Sequence, residues 1–116
     1  MHELSVAMSL LDEIGNVAAR EHAASVKGVR LKIGRMSGIA HDALLFAWEL
    51  ARVDTVAAGA ELHIEDVEVV VFCPNCEEER APIEGAILIC GVCGATTPKV
   101  VHGRELQLVA VEVVPA

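Results

Sequence analysis

Cys73-Pro74-Asn75-Cys76 and Cys90-Gly91-Val92-Cys93 stand thirteen residues apart and hold every cysteine in the chain. A Cys-x-x-Cys turn puts two sulfurs on one side of a tight loop, and two such turns facing each other complete a tetrahedron of thiolates. Pro74 stiffens the first turn. Gly94, directly after Cys93, lets the backbone take a positive φ and aim amides at the sulfurs. Between the pairs, Ala86-Ile87-Leu88-Ile89 reads as a short strand and Glu84-Gly85 as a turn, the pattern of a zinc ribbon. Structural zinc on Cys73, Cys76, Cys90 and Cys93 is the leading reading. Two disulfides, a redox dithiol and a rubredoxin-like iron site compete with it. The segment has too little apolar mass to fold without a metal, whose binding is worth on the order of 10–16 kcal/mol in such modules.

Working outward, the flanking chain is rich in apolar residues but poor in aromatic ones. Hydrophobic residues make up 53% of the 116, yet Phe46, Trp48 and Phe72 are the only aromatics. The core must therefore be built from Val, Leu, Ile and Ala. Net charge is −8, and the cysteine segment sets Glu77, Glu78, Glu79 and Glu84 against Arg80 alone. Four thiolates on one zinc ion add further negative charge. Such a module repels a phosphate backbone, which excludes the nucleic-acid zinc ribbons. No apolar run approaches the roughly 20 residues of a membrane span. The first residues lack the basic and apolar regions of an export signal, so a cytoplasmic, reducing location is expected.

Periodicity predicts a helix from Glu3 to about Ala24, with Leu4, Ala7, Met8, Leu11, Ile14 and Ala18 facing the core. Val29, Leu31 and Ile33 alternate with Arg30 and Lys32 as in a half-buried strand. A second helix follows, with Asp42 as N-cap and Leu44, Leu45, Trp48 and Ala51 on its apolar side. Leu62 and Ile64 form a second strand. After Asp66 the parity shifts to Val67, Val69 and Val71, which predicts a bulge or bend. A last strand runs from Glu105 to Val114, with Leu106, Leu108, Val109, Val111 and Val113 as candidate core. The expected fold is α+β: two helices packed on a three-stranded sheet, interrupted by a zinc ribbon. The expected division is 1–71 with 99–116 for the α+β domain and 72–98 for the zinc module.

Met1-His2-Glu3 is a second candidate site. A large residue at position 2 protects the initiator Met, which keeps His2 second. Its imidazole, its backbone nitrogen and the α-amine can then reach one square-planar ion such as Ni(II), and Glu3 can add an oxygen. The plain alternative is an exposed terminal histidine beside a helix-start glutamate. No nucleophile–base arrangement or phosphate loop stands out, so no enzyme is expected.

These residues resemble the HypA/HybF family of nickel-insertion accessory proteins for NiFe hydrogenase maturation. The resemblance is carried by Met1-His2-Glu3-Leu4-Ser5, Ile33-Gly34, Ser37-Gly38 and Ala47-Trp48-Glu49. It continues through Gly59-Ala60-Glu61-Leu62, Ile64-Glu65, both cysteine pairs and Gly103-Arg104-Glu105-Leu106, over nearly the whole chain. It implies zinc on the four cysteines and transient nickel at His2 with Glu3. It also implies delivery to the hydrogenase large-subunit precursor with a HypB-type GTPase, some members serving urease as well. Certain relatives carry an acidic residue where this chain has Ala40, with His41 and Asp42 as neighbouring substitutes. The sequence admits an oligomer. A zinc-ribbon adaptor with no nickel site is the alternative function, and a rubredoxin-like electron carrier a third.

Overall fold

Residues 3–116 are described in a computed structural model of the chain. Helix α1 spans Glu3–Arg20 and buries Val6, Ala7, Leu10, Ile14 and Ala18. The i, i+4 row through 6, 10, 14 and 18 is the core face. Leu4 and Met8, expected in the core, are exposed instead. The helix also stops short of Ala24. His22 takes φ 51°, and strand β1, Ala23–Gly34, begins one residue later. Ala23 and Ala24 favour helix, but extended pairing in a sheet outweighs that preference of a few tenths of a kcal/mol.

Helix α2, His41–Ala51, starts after Ala40, whose side chain makes no capping bond. Asp42 is therefore not the cap. It lies in the first turn, where its charge still complements the exposed amides. α2 buries Leu44, Ala47 and Trp48, while Leu45 is exposed. It packs against α1.

The remaining strands are β2 (Glu61–Val67), β3 (Val70–Cys73), β4 (Glu78–Arg80), β5 (Pro82–Ile83), β6 (Ala86–Cys90), β7 (Lys99–His102) and β8 (Leu106–Pro115). The main sheet has the order β2-β1-β8. Its central strand buries Val26, Val29 and Leu31, which with the inward residues of α1 and α2 make an aliphatic core around the one tryptophan. On the outward side Lys32 pairs with Glu65 at 3.7 Å and Lys27 with Glu112 at 3.8 Å, both exposed and worth little to stability. Along β8, Leu108, Val111 and Val113 are half-buried, but Leu106 and Val109 are exposed.

The chain divides into two compact units. One comprises Met1–Lys32, Gly38–Glu65 and Gln107–Ala116; the other comprises Ile33–Ser37 and Asp66–Leu106. The second unit contains a β4-β3-β7 sheet and a β5-β6 hairpin. β3 runs antiparallel to both its neighbours, with a register shift between Val70 and Val71. The parity change after Asp66 is thus more than a bulge: Val67 ends a strand of the main sheet and Val70 starts a strand of another.

One knot of backbone bonds closes this second unit. Gly34 N–H donates to Glu105 O at 2.8 Å, Arg35 N–H to Val67 O at 3.0 Å and Met36 N–H to Gly103 O at 2.6 Å. Gly34 lies so close to Gly103 that a Cβ there would sit 2.1 Å from the Gly103 oxygen. Gly103 itself has φ +125°, a region open to glycine alone. The Glu105 carboxylate ties the corner, accepting from Gly103 N–H at 2.7 Å and meeting His102 Nδ1 at 3.2 Å. Its own amide, then Gly103 N–H and His102, hold its carboxyl below the usual carboxylate value.

Candidate metal centre

Each cysteine pair begins where a strand ends. Cys73 closes β3 and Cys90 closes β6, and both are fully buried. Cys76 and Cys93 lie in the turns that follow, half-buried and exposed respectively. The two turns share one backbone device. The residue after each pair has a positive φ, 56° at Glu77 and 76° at Gly94. Glycine adopts that conformation freely, as its place in the sequence suggested. Glutamate adopts it at a cost of about 1–2 kcal/mol and was not foreseen. Near-identical geometry is thus imposed on two unlike tetrapeptides.

The result is a concave array of amides around sulfur. Cys76 N–H donates to Cys73 Sγ at 3.3 Å, and the amides of Val92 and Cys93 both donate to Cys90 Sγ at 3.4 Å. Cys73 Sγ and Cys93 Sγ are 3.5 Å apart, and all four sulfurs lie within 4.8 Å of one another. Zinc–sulfur bonds of about 2.3 Å in a tetrahedron require sulfurs roughly 3.8 Å apart, so this donor set fits a tetrahedral thiolate-bound ion.

The thiols do not titrate alike. Cys93 is lowered to about 6, first by the Ala95 amide, then by Asn75 and Cys73. Cys90 is lowered by the amides of Cys93 and Val92. Cys76 gains from Arg80, but hydrogen bonding with Cys93, burial, and contact with Cys73 and Cys90 win and raise it to about 11. A divalent cation held among the four sulfurs would offset the repulsion between thiolates and favour that form. Arg80 reaches Cys76 and also bonds Glu78 at 2.6 Å, placing one positive charge beside the sulfurs.

The second candidate site is divided. His2 lies outside the described residues. Glu3 occupies the first turn of α1, half-buried, at the lip of a groove with Leu4, Ala43, Phe46, Ala47 and Leu50. His41 begins α2 and Asp42 follows it. His102 is engaged with Glu105, and His63 lies 3.3 Å from Glu61. Among the described residues the four cysteines are the one group of three or more His, Cys, Asp or Glu placed to hold a metal. No helix among them is long and apolar enough to cross a membrane.

The fold and this cluster define an α+β protein carrying a small cysteine-rich module suited to a structural metal. Comparison with known proteins narrows that class. Residues 1–113 match the family model described as hydrogenase/urease nickel incorporation, metallochaperone, HypA. The hydrogenase maturation factor HypA of Chloroflexus aurantiacus is 42% identical over 97% of this chain and 98% of its own length. That of Chloroflexus aggregans is 40% identical over the same shares. Among solved structures, the nickel metallochaperone HypA of Helicobacter pylori superposes with a TM-score of 0.72 at 27% identity, covering all of both chains. The chain belongs to the HypA family of hydrogenase maturation factors.

Proposed function

We propose that this chain is a nickel metallochaperone that carries Ni(II) at its N-terminus and holds zinc on Cys73, Cys76, Cys90 and Cys93. The observation that carries the reading is the family match beginning at residue 1, where Met1-His2-Glu3 offers an amine, a backbone nitrogen and an imidazole in sequence. Those nitrogens suit a square-planar ion, with Glu3 as a supplementary oxygen. Zinc, when bound, supplies no chemistry beyond cross-linking two turns. Nickel is cargo, and a terminal chelate of few ligands releases it readily to a better-matched site. The recipient is the hydrogenase large-subunit precursor, reached with a HypB-type GTPase. Within this reading the protein is a carrier, not a catalyst, and works in the cytoplasm.

The test is nickel equilibrium dialysis of untagged protein beside His2→Ala, with zinc measured in both and intact mass confirming that Met1 is retained. Wild type should bind nickel in addition to zinc, and the variant should keep zinc and lose nickel. Nickel affinity should also fall between about pH 7 and pH 6, as an imidazole near its ordinary pKa of ~6.5 protonates. If the two proteins bind nickel alike, or wild type binds equally at pH 5.5 and 7.5, His2 is not a ligand. The chain would then act as a zinc-ribbon adaptor.

A further inference from the structure

Helix α2 is apolar on both sides. Leu44, Ala47 and Trp48 face the core, while Phe46, Leu50 and Val53 are 69%, 61% and 62% exposed. Their i, i+4, i+7 spacing puts them in one row along and just past the helix. A surface helix ordinarily turns polar groups outward, so a second apolar stripe is not explained by folding. On α1, Leu4 and Met8 are also exposed, one turn apart. Between the helices lies a groove of about 330 Å³ lined by Glu3, Leu4, Ala43, Phe46, Ala47 and Leu50. Contiguous exposed apolar surface of this kind, rimmed by polar residues, marks a contact site.

Charge decides what fits there. Glu3 stands at the lip and Asp42 in the adjoining first turn of α2. Farther along, Glu49 shares its charge with Arg52 at 2.9 Å. Neither α2 nor α1 before Arg20 contains a lysine or arginine. A second copy of this chain would bring the same acids to the interface and set −8 against −8. An anionic membrane would be repelled for the same reason. A helix whose apolar row is flanked by Lys and Arg meets both features at once, filling the groove and pairing with its lip.

We infer that the α1–α2 groove is a docking site for a cationic amphipathic helix of another protein. The inference rests on the metallochaperone reading only for its purpose: Glu3 at the lip follows His2 directly in sequence, so a partner seated there is next to the cargo. Its physical basis is independent of nickel, and the test uses zinc-loaded, nickel-free protein.

The probe is a fluorescein-labelled Leu/Lys amphipathic peptide of about five helical turns, with a Leu/Glu peptide of the same pattern as control. Binding is read by anisotropy at roughly physiological ionic strength, where screening acts beyond about 8 Å. Phe46→Ser with Leu50→Ser removes exposed apolar surface without changing net charge, and circular dichroism confirms that the fold survives. Wild type should bind the Leu/Lys peptide and make it helical, and the double variant should bind at least about tenfold more weakly. Glu79→Gln with Glu84→Gln, in the cysteine module, should leave binding unchanged. Equal binding by wild type and the Phe46/Leu50 variant, or equal binding of the Leu/Glu peptide, would overturn the proposal. So would a dimer in sedimentation equilibrium that the double variant abolishes, or co-sedimentation with phosphatidylglycerol vesicles through the same residues. His2→Ala should retain peptide binding, and the Phe46/Leu50 variant should retain nickel. Failure of either reading is thereby told apart from failure of the other.

Discussion

Two glycine-to-alanine substitutions should move stability in opposite directions. At Gly34 a new Cβ would sit 2.1 Å from Gly103 O, 2.2 Å from Gly103 C and 2.6 Å from Arg104 N. All three are backbone atoms, with no flexible side chain to yield. The strand must back away by about an ångström, straining the bonds from Gly34 N–H to Glu105 O and from Met36 N–H to Gly103 O. Overpacking costs about 1–3 kcal/mol, and each weakened backbone bond costs about 1 kcal/mol more. A loss of roughly 3–5 kcal/mol is a large share of the ~5–15 kcal/mol that holds a domain folded. At about 4 °C per kcal/mol for a chain of this size, the melting temperature should drop by about 12–20 °C. At Gly15, inside α1, a Cβ meets nothing within 4 Å. Alanine there should stabilise by about 0.5–1 kcal/mol through the helix backbone alone, a rise of about 2–4 °C. The assay is thermal unfolding of zinc-saturated wild type, Gly34→Ala and Gly15→Ala by far-ultraviolet circular dichroism. If Gly34→Ala melts within about 3 °C of wild type, the close approach of these strands is wrong.

Further outcomes are expected around the same module. Stripping metal with a chelator should raise amide exchange through β3–β7 toward the unfolded rate while α1 and β1 stay protected, since ~10–16 kcal/mol of binding energy is lost from that unit alone. Replacing buried Cys90, whose sulfur takes two amides, should weaken metal retention more than replacing exposed Cys93. Glu105 has a lowered carboxyl pKa in the folded chain. Its contribution is therefore present above the unfolded carboxylate value and lost as pH falls through the folded one. The gap in melting temperature between wild type and Glu105→Gln should be full near pH 6 and close as pH falls below about 4. A gap that widens in acid would contradict this. Thr97 is fully buried and its Oγ1 finds no partner among the described residues. Thr97→Val, of nearly the same shape, should stabilise by about 1 kcal/mol in urea unfolding.

The sequence was legible where one residue type does one job. Alternation in Val29-Arg30-Leu31-Lys32-Ile33 marked the central strand, and Gly94 took the positive φ its position required. The gathering of four sulfurs followed from two spacings. It was less legible where tertiary contacts outvoted local preference. Nothing in Ala18-Ala19-Arg20-Glu21-His22-Ala23-Ala24 stops a helix, and the stop comes from His22 turning left-handed ahead of β1. Leu4 and Met8 fit a helical stripe as well as Val6 and Leu10 do. Period alone cannot say which of two apolar rows faces inward, and here the choice left Leu4 and Met8 outside. The knot at Gly34, Gly103 and Glu105 joins residues some seventy positions apart through backbone atoms, which leave no mark in side-chain patterning.

The register of β3 against β7 sets Val70 opposite His102, and the backbone of Val69 lies against Gly103. The long excursion that carries the cysteines therefore leaves and rejoins the chain at nearly one point in space. A segment with adjacent ends is a cassette: it can be cut out and replaced by a tight turn, or exchanged for a foreign one, without pulling the host strands out of step. Joining the chain across that gap would give a miniature of about seven-tenths the length that keeps both helices. It would separate what the remainder can do by itself from what it can do only with its four-cysteine passenger.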